Sequence, residues 1–268
     1  MKSVLRNIPR WLGWTRASYT LMSAFVLTIG LIAYVWWPLA EEYLSYIPWD
    51  GEWWRYFDWL LVGIFAFMSL MIMAKADLRV DMRMVFVGLV GGLVIEAWGT
   101  QTEIWTYYTN ERPPLWIIPA WPIAGLTIDR MVRILRLVFP HKHTAFAWLY
   151  WLIFPTFYLL MLGYVAPTFD KSLTIAALVL CALLIATPVD TRVAVLTFVA
   201  GAGLGYFLEL WGTTRLCWTY YTLEMPPLFA VLAHGMAAVA FWRTILLLAM
   251  LLERRKNPLK QKKQTSKI

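Results

Sequence analysis

Two glutamates stand at the start of one sequence motif that this chain carries twice. Residues 96–115 read EAWGTQTEIWTYYTNERPPL and residues 209–228 read ELWGTTRLCWTYYTLEMPPL, with 13 of 20 positions identical in an alignment without gaps. Such identity indicates an internal duplication of a unit of about 110 residues. A carboxyl group beside Trp and Tyr supplies a proton donor or acceptor next to aromatic faces that stabilise a cation. We therefore expect proton transfer, with Glu96 and Glu209 as paired acid and base.

The aromatic residues of the motif are the expected walls of a substrate site. Protonation of an alkene creates a carbocation, which π faces stabilise and which water would quench too early. The same walls would suit a cationic or lipid headgroup. A structural interpretation also stands, in which each glutamate accepts hydrogen bonds from indole and phenol groups and thereby fixes its outer loop. The candidate substrate-binding residues are Trp98, Trp105, Tyr107 and Tyr108, with their copies Trp211, Trp218, Tyr220 and Tyr221.

Glycines precede each glutamate at helical spacing. Gly88, Gly92 and Glu96 lie at i, i+4 and i+8, and Gly201 and Gly205 stand in the same relation to Glu209. Small residues at this spacing let helices approach closely in lipid, so the stripe should face inward and direct the carboxylates into a shared interior near the outer leaflet. The glycine of Trp-Gly-Thr predicts a helix end, which places each glutamate in a last turn where the helix dipole and burial disfavour its charged form.

One difference between the copies bears on proton chemistry. The position of Trp121 in the first copy is occupied by His234 in the second. A histidine about 12 Å along its helix by helical rise would share a proton with Glu209, so His234 is a further catalytic candidate. The alternative is a histidine that only satisfies a hydrogen bond inside the membrane.

Charged residues also recur at the other end of the helices. Asp77 and Arg130 recur as Asp190 and Arg243, on the side expected to face the cytoplasm. We expect two structural salt bridges, Asp77 with Arg130 and Asp190 with Arg243.

Sequence patterns for cofactors and metals are absent. His141 and His143 flank a lysine in a basic loop without carboxylates at ligand spacing, and the two cysteines lie apart, at positions 181 and 217. The chain has no diiron histidine pattern, phosphate loop, dinucleotide glycine fingerprint or serine nucleophile elbow. We expect neither a metal nor a cofactor.

The composition is that of a polytopic membrane protein. Hydrophobic residues make up 60% of the chain and charged residues 15%, outside the range of soluble domains. We predict an all-α membrane protein of about eight transmembrane helices in two four-helix repeats, which are parallel because each repeat has an even number of helices. The predicted stretches are 17–40, 59–74, 84–95, 113–128, 144–169, 172–189, 193–208 and 225–242.

The distribution of Lys and Arg predicts the orientation. The N-terminal segment and the segments after the second, fourth and sixth helices are basic, whereas the segment after the first helix is acidic and aromatic. We therefore expect a multi-pass protein of the cell (inner) membrane with both termini in the cytoplasm. The predicted divisions are a first repeat (residues 1–138, the first copy), a second repeat (139–253, the second copy) and a basic tail (254–268), expected to be disordered. The tail should contact anionic lipid headgroups, and no nucleic-acid partner is expected.

Part of the motif resembles a known family. The pattern of Glu, Gly-Thr, aromatic-x-Tyr and a helix-opening proline is similar to that of small polytopic carotenoid-biosynthesis membrane proteins. It is closest to carotenoid hydratases of the bisanhydrobacterioruberin hydratase type, and more distant from the small tandem lycopene cyclases. The cyclase-type Pro-Leu-Glu-Glu is absent, since apolar residues follow the Pro-Leu of both copies. The residues that carry the resemblance are Glu96, Gly99, Thr100, Trp105, Tyr107 and Pro113.

The resemblance implies cofactor-independent hydration, or proton-initiated rearrangement, of a long isoprenoid alkene lying in the bilayer. Two other classes stay open on the sequence alone. The two carboxylates would also suit a proton- or cation-coupled transporter or channel. A non-catalytic subunit packed against other membrane proteins would account for the 17 tryptophans.

Overall fold

The computed structural model of the chain describes residues 13–139 and 143–256, without the side chains of 143 and 254–256. His141 and residues 257–268 of the predicted tail lie outside the described residues, and the backbone of 254–256 ends the last helix. The structure is mostly helical, with one small two-stranded sheet.

A helix lies in each of the eight predicted stretches, and a short helix not predicted from the sequence follows the first. The helices are α1 (Arg16–Val35), α2 (Trp37–Ser45), α3 (Trp59–Met73), α4 (Leu78–Gln101), α5 (Ala120–Val138), α6 (His143–Val165), α7 (Ser172–Ala186), α8 (Thr191–Thr214) and α9 (Leu228–Lys256). The strands are β1 (Trp105–Tyr107) and β2 (Trp218–Tyr220), and two short 3-10 turns cover Trp53–Arg55 and Ala166–Thr168. The unpredicted α2 forms because Pro38, which suits a first helical turn, restarts the chain as a helix directly after α1.

Four helical segments are long and apolar enough to cross a membrane. They are Arg16–Val35, Thr144–Thr168, Thr191–Thr214 and Leu228–Glu253. Helices α3 and α7 are apolar but have 15 residues each, about 22 Å of rise against a hydrocarbon core of about 30 Å. The helices in the eight predicted stretches thus differ in length and polarity more than the hydropathy pattern alone indicates.

The element bounds recur at the spacing of the sequence repeat. Helices α3 and α7 begin at 59 and 172, α4 and α8 at 78 and 191, and the strands at 105 and 218, so each pair keeps the offset that relates Glu96 to Glu209. The starts of α5 and α9, at 120 and 228, lie 108 residues apart, five fewer than in the other pairs. The spacing fails altogether for α1 and α6, because α2 and a 3-10 turn lie between α1 and α3 while only a short turn separates α6 from α7.

The glycine stripe packs as the sequence predicts. A Cβ on Gly88 would lie 2.7 Å from the backbone of Pro122, and one on Gly201 would lie 2.8 Å from the carbonyl of His234. Since real Cβ atoms do not approach that closely, these glycines let α4 pack against α5 and α8 against α9. The carboxylates that follow them are consequently interior groups, with Glu96 3% and Glu209 4% exposed.

The ion pair expected between Asp77 and Arg130 is wrong. Arg130 instead forms a bidentate pair with Asp81, with Nη1–Oδ1 at 2.9 Å and Nη2–Oδ2 at 2.6 Å, and both side chains are almost fully buried. Asp77 is the N-cap of α4, where its carboxylate accepts the backbone N–H of Arg79 at 2.9 Å. One turn further along the helix, Asp81 faces inward, so it meets the arginine while Asp77 is exposed.

The ion pair expected between Asp190 and Arg243 is also wrong, because Asp190 too is a helix cap. Asp190 caps α8 by accepting the backbone N–H of Val193 at 3.0 Å. Within the described ranges Arg243 has no carboxylate partner and donates to the carbonyl of Leu184 and the hydroxyl of Thr187. The residue of the second copy that corresponds to Asp81 is Ala194, which offers no charge.

Candidate functional site

The two motif loops pair with each other as a two-stranded antiparallel ribbon. Trp105 lies opposite Tyr220, Thr106 opposite Thr219 and Tyr107 opposite Trp218. Because equivalent residues exchange places across the ribbon, it has local twofold symmetry centred on the two threonines. The ribbon joins the first copy to the second at the motif itself.

Glu96 accepts three hydrogen bonds from aromatic side chains. Its Oε2 accepts the indole N–H of Trp105 at 3.1 Å, and its Oε1 accepts the hydroxyl of Tyr107 at 2.9 Å and the indole N–H of Trp121 at 3.1 Å. An indole nitrogen only donates, so two of the three partners cannot take a proton from the carboxyl group. This carboxylate holds the ribbon and the start of α5 together.

Glu209 has the same first two partners and a different third. Its Oε2 accepts the indole N–H of Trp218 at 2.9 Å, and its Oε1 accepts the hydroxyl of Tyr220 at 2.9 Å. The third partner is Nε2 of His234, 2.9 Å from Oε1. An imidazole nitrogen either donates or accepts, so this pair holds a proton that the first copy has no means to share.

The two third partners lie face to face between the copies. The rings of Trp121 and His234 stack with centroids 5.8 Å apart and planes 17° apart. The ring of Phe241 packs edge-on against Trp121 at 6.0 Å. The histidine side chain is 20% exposed, and no hydrogen bond to its Nδ1 occurs in the part of the chain that the structure describes. His234 is therefore fixed by a carboxylate at one nitrogen and has the other nitrogen available.

The tyrosines of the ribbon act as permanent donors. Burial, followed by the charge of the adjacent glutamate, holds the pKa of Tyr107 and that of Tyr220 well above the ordinary value of a phenol. Each hydroxyl consequently stays protonated and donates a hydrogen bond to the carboxylate. The hydrogen bonds from indole and phenol to glutamate, expected under the structural interpretation, are thus present in both copies.

The glycine of Trp-Gly-Thr has a different role from the one predicted. Helix α4 continues past Gly99 to Gln101, and α8 continues past Gly212 to Thr214, so neither glycine ends its helix. A Cβ at either position would collide with the indole ring of Trp105 or Trp218. These glycines make room for the tryptophan that returns from the ribbon to the glutamate.

Four predicted wall residues lie away from the carboxylates, and the two tryptophans among them tie the copies together. Trp98 donates to Thr174 Oγ1 at 3.2 Å, and Trp211 donates to Asp58 Oδ2 at 2.8 Å, each reaching a helix of the other copy. Tyr108 donates to a carbonyl near the end of α1, and Tyr221 to one near the end of α6. Sequence reasoning missed Asp58, which also binds the guanidinium of Arg215 at 3.1 Å; its counterpart in the second copy is Lys171, so comparing the copies could not reveal it.

Two cavities lie apart from the carboxylates. One, of about 190 Å³, lies at the opposite end of α4 and α8 and includes Asp81. The other, an open groove of about 410 Å³, includes Tyr221 and Glu224. Across the described ranges, no three His, Cys, Asp or Glu side chains are grouped so as to hold a metal ion.

Comparison with known proteins gives no relative. No protein-family description, curated protein or solved structure matches this chain. The geometry of the site is therefore the basis for assigning a function.

Proposed function

We propose that the protein is an integral membrane enzyme in which Glu209 and His234 transfer a proton to a membrane-embedded alkene. One observation carries the proposal: His234 Nε2 is 2.9 Å from Glu209 Oε1 while Nδ1 has no partner in the described structure. A carboxylate that orients one imidazole nitrogen and leaves the other available is the arrangement used for general acid and base catalysis. Glu96, with three donors that keep their protons, has a positioning role.

The proposed reaction is hydration or rearrangement of an isoprenoid or carotenoid chain. The proton on Nδ1 moves to an alkene carbon, which leaves a carbocation that faces the neighbouring aromatic rings. Water adds to the cation, and the proton it loses returns to the imidazole, so the net change is alkene plus water to alcohol. Loss of a neighbouring proton without water addition gives an isomer. The ring stack with Trp121 places a π face beside the proton donor.

The proposed setting is the cell (inner) membrane, crossed about eight times in two parallel repeats with both termini in the cytoplasm. The four long apolar segments support a membrane location. Large apolar side chains are exposed along the helices, as lipid contact requires, among them Leu27, Val94, Trp148 and Leu183.

Proton or cation translocation is the second candidate. One observation favours it: neither carboxylate lines either of the two cavities described above. A small ion needs less space beside the carboxylates than a polyene does. Two buried carboxylates on either side of one ring stack would suit such a path.

The deciding experiment is mass spectrometry of lipid and pigment extracts from a strain that lacks the gene. The enzyme proposal expects an accumulated alkene and a missing hydrated or rearranged product, restored by the wild-type gene and not by the His234→Trp variant. Translocation predicts an unchanged extract together with proton uptake by vesicles that contain the purified protein. An unchanged extract without proton uptake would leave the third class, a non-catalytic membrane subunit.

A further inference from the structure

The cavity of about 190 Å³ lies between the two copies, at the end where α4 and α8 begin. Most of its lining residues come in pairs that occupy equivalent positions of the two copies, such as Val80 with Val193, Met84 with Thr197 and Ile128 with Phe241. It is therefore built from the same surface of both copies. We call it the inter-copy cavity.

The charged residues of the inter-copy cavity all come from the first copy. The first copy contributes Asp81, Asp129, Arg133 and Arg136. The second copy has Ala194, Trp242, Leu246 and Ala249 at the corresponding positions. Side by side, a charged wall and an apolar wall suit a ligand with a polar head and an apolar chain.

The charges of the polar wall do not cancel. Arg130 Nη1 and Nη2 neutralise Asp81, and Asp129 Oδ2 accepts from Arg130 at 2.8 Å and from Arg133 at 2.7 Å. The guanidinium of Arg136 has no hydrogen bond to any described residue. Three guanidinium groups thus face two carboxylates, which leaves one positive charge for a ligand.

A further observation comes from the buried arginine. Arg130 is 3% exposed, and its Nε has no hydrogen-bond partner in the described ranges. Buried polar atoms are normally paired. Arg130 does not itself line the cavity, but it holds the wall residues Asp81 and Asp129 from behind and keeps one donor unused there.

We propose that the inter-copy cavity binds a single-chain anionic amphiphile, with its phosphate or carboxylate on Arg136 and Arg133 and its chain against Phe241 and Trp242. The proposal rests on the membrane location proposed above and is independent of proton transfer at His234.

The test is equilibrium binding of fluorescent lysophosphatidic acid to the purified full-length protein in a neutral detergent. A monoacylglycerol with the same chain and no phosphate is the reference probe. The wild-type protein should bind the phosphate probe more tightly. Arg136→Gln should weaken that probe about tenfold, the loss of one charge-assisted hydrogen bond, and should leave the monoacylglycerol unchanged. Arg79→Gln, which removes an exposed charge outside the cavity, is the matched control and should change neither.

A second pair of variants tests whether the probes enter the cavity itself. Val80 is 51% exposed at the cavity and Val90 is 48% exposed on the same helix away from it, so Val80→Trp should weaken both probes and Val90→Trp neither. Equal binding of the two probes by the wild-type protein would overturn the proposal, as would equal losses in Arg136→Gln and Arg79→Gln. His234→Trp should leave the affinity unchanged even if it abolishes activity. A loss of binding there would place the amphiphile at the other site and contradict the assignment.

Discussion

The first copy and the second copy hold their glutamates with the same two partners and differ in the third. Glu96 is bound by Trp121 and Glu209 by His234, at distances of 3.1 and 2.9 Å. The shared partners are those that a structural anchor requires, and the single different partner is the one able to exchange a proton. The duplicated motif thus explains the architecture, and the departure from it locates the proposed chemistry.

The copies differ again at their other end, where the largest effect is expected. Replacement of Arg130 by Ala leaves the buried carboxylate of Asp81 without a cation and with only the backbone N–H of Asp77 as a donor, which should reduce the free energy of unfolding by about 3–5 kcal/mol. Arg243→Ala removes bonds to a carbonyl and a hydroxyl only, and should cost about 1 kcal/mol. Denaturant unfolding of both variants in detergent measures the difference. The double variant Asp81→Ala/Arg130→Ala also removes the buried carboxylate and places alanine where the second copy has Ala194, so its stability should recover in part. Equal losses for Arg130→Ala and Arg243→Ala would contradict the comparison.

Exchanging the third partners tests the proton transfer directly. His234→Trp gives Glu209 the same three types of hydrogen-bond partner that Glu96 has. It should lower product formation about a hundredfold, a typical contribution of a general acid or base. Trp121→His gives the first copy the shell of the second and should retain activity. Product and protein level are measured together in membranes that contain each variant. Full activity of His234→Trp at normal abundance would remove His234 from the mechanism.

Replacing each glutamate by glutamine should separate the copies by stability. In Glu96→Gln the new amide N–H₂ would lie against an indole N–H in either orientation, because Trp105 and Trp121 bind different oxygens and only donate. Glu209→Gln avoids this conflict when the amide oxygen accepts from Trp218 and the N–H₂ donates to Tyr220 and His234. We therefore expect Glu96→Gln to lower the free energy of unfolding by about 1–3 kcal/mol more than Glu209→Gln. Thermal unfolding in detergent decides it, and the reverse order would disprove the assigned hydrogen-bond directions.

The smallest effect should be the same in both copies. Asp77 and Asp190 each cap a helix through one backbone N–H, and replacement by Ala should cost about 1 kcal/mol in either case. The same unfolding measurement compares them. A much larger loss at either position would contradict the capping role and support the ion pair expected from the sequence.

The sequence predicted the approximate positions of eight of the nine helices in the described ranges, and the interior position of the carboxylates, because both follow from local patterns. Apolar runs locate the helices, and the stripe that ends at Glu96 depends only on spacing along one helix. The ribbon was not predicted, since Trp105 finds Tyr220 more than a hundred residues away and three-residue strands leave no periodic signal.

The ion pair of Arg130 shows a limit of reasoning from repeats. A comparison of the two copies points only to residues that both copies share, and the counterpart of Asp81 is Ala194, so the repeat gives no signal for this partner. The role of Gly99 was misjudged for another reason. A glycine near a predicted helix end has the same sequence signature whether it terminates the helix or makes room for a ring from elsewhere.

The ribbon also bears on how the protein is made. The ladder partner of β1 lies a whole repeat later in the chain, so the backbone groups of Trp105–Tyr107 wait for their partners while the intervening segment is synthesised. At about 5–20 residues per second this delay lasts roughly 6 to 23 seconds. During that interval the nascent chain exposes an open strand edge and an incomplete outer face. A membrane insertase or chaperone that shields this edge would act in that interval, before β2 emerges and closes the ribbon.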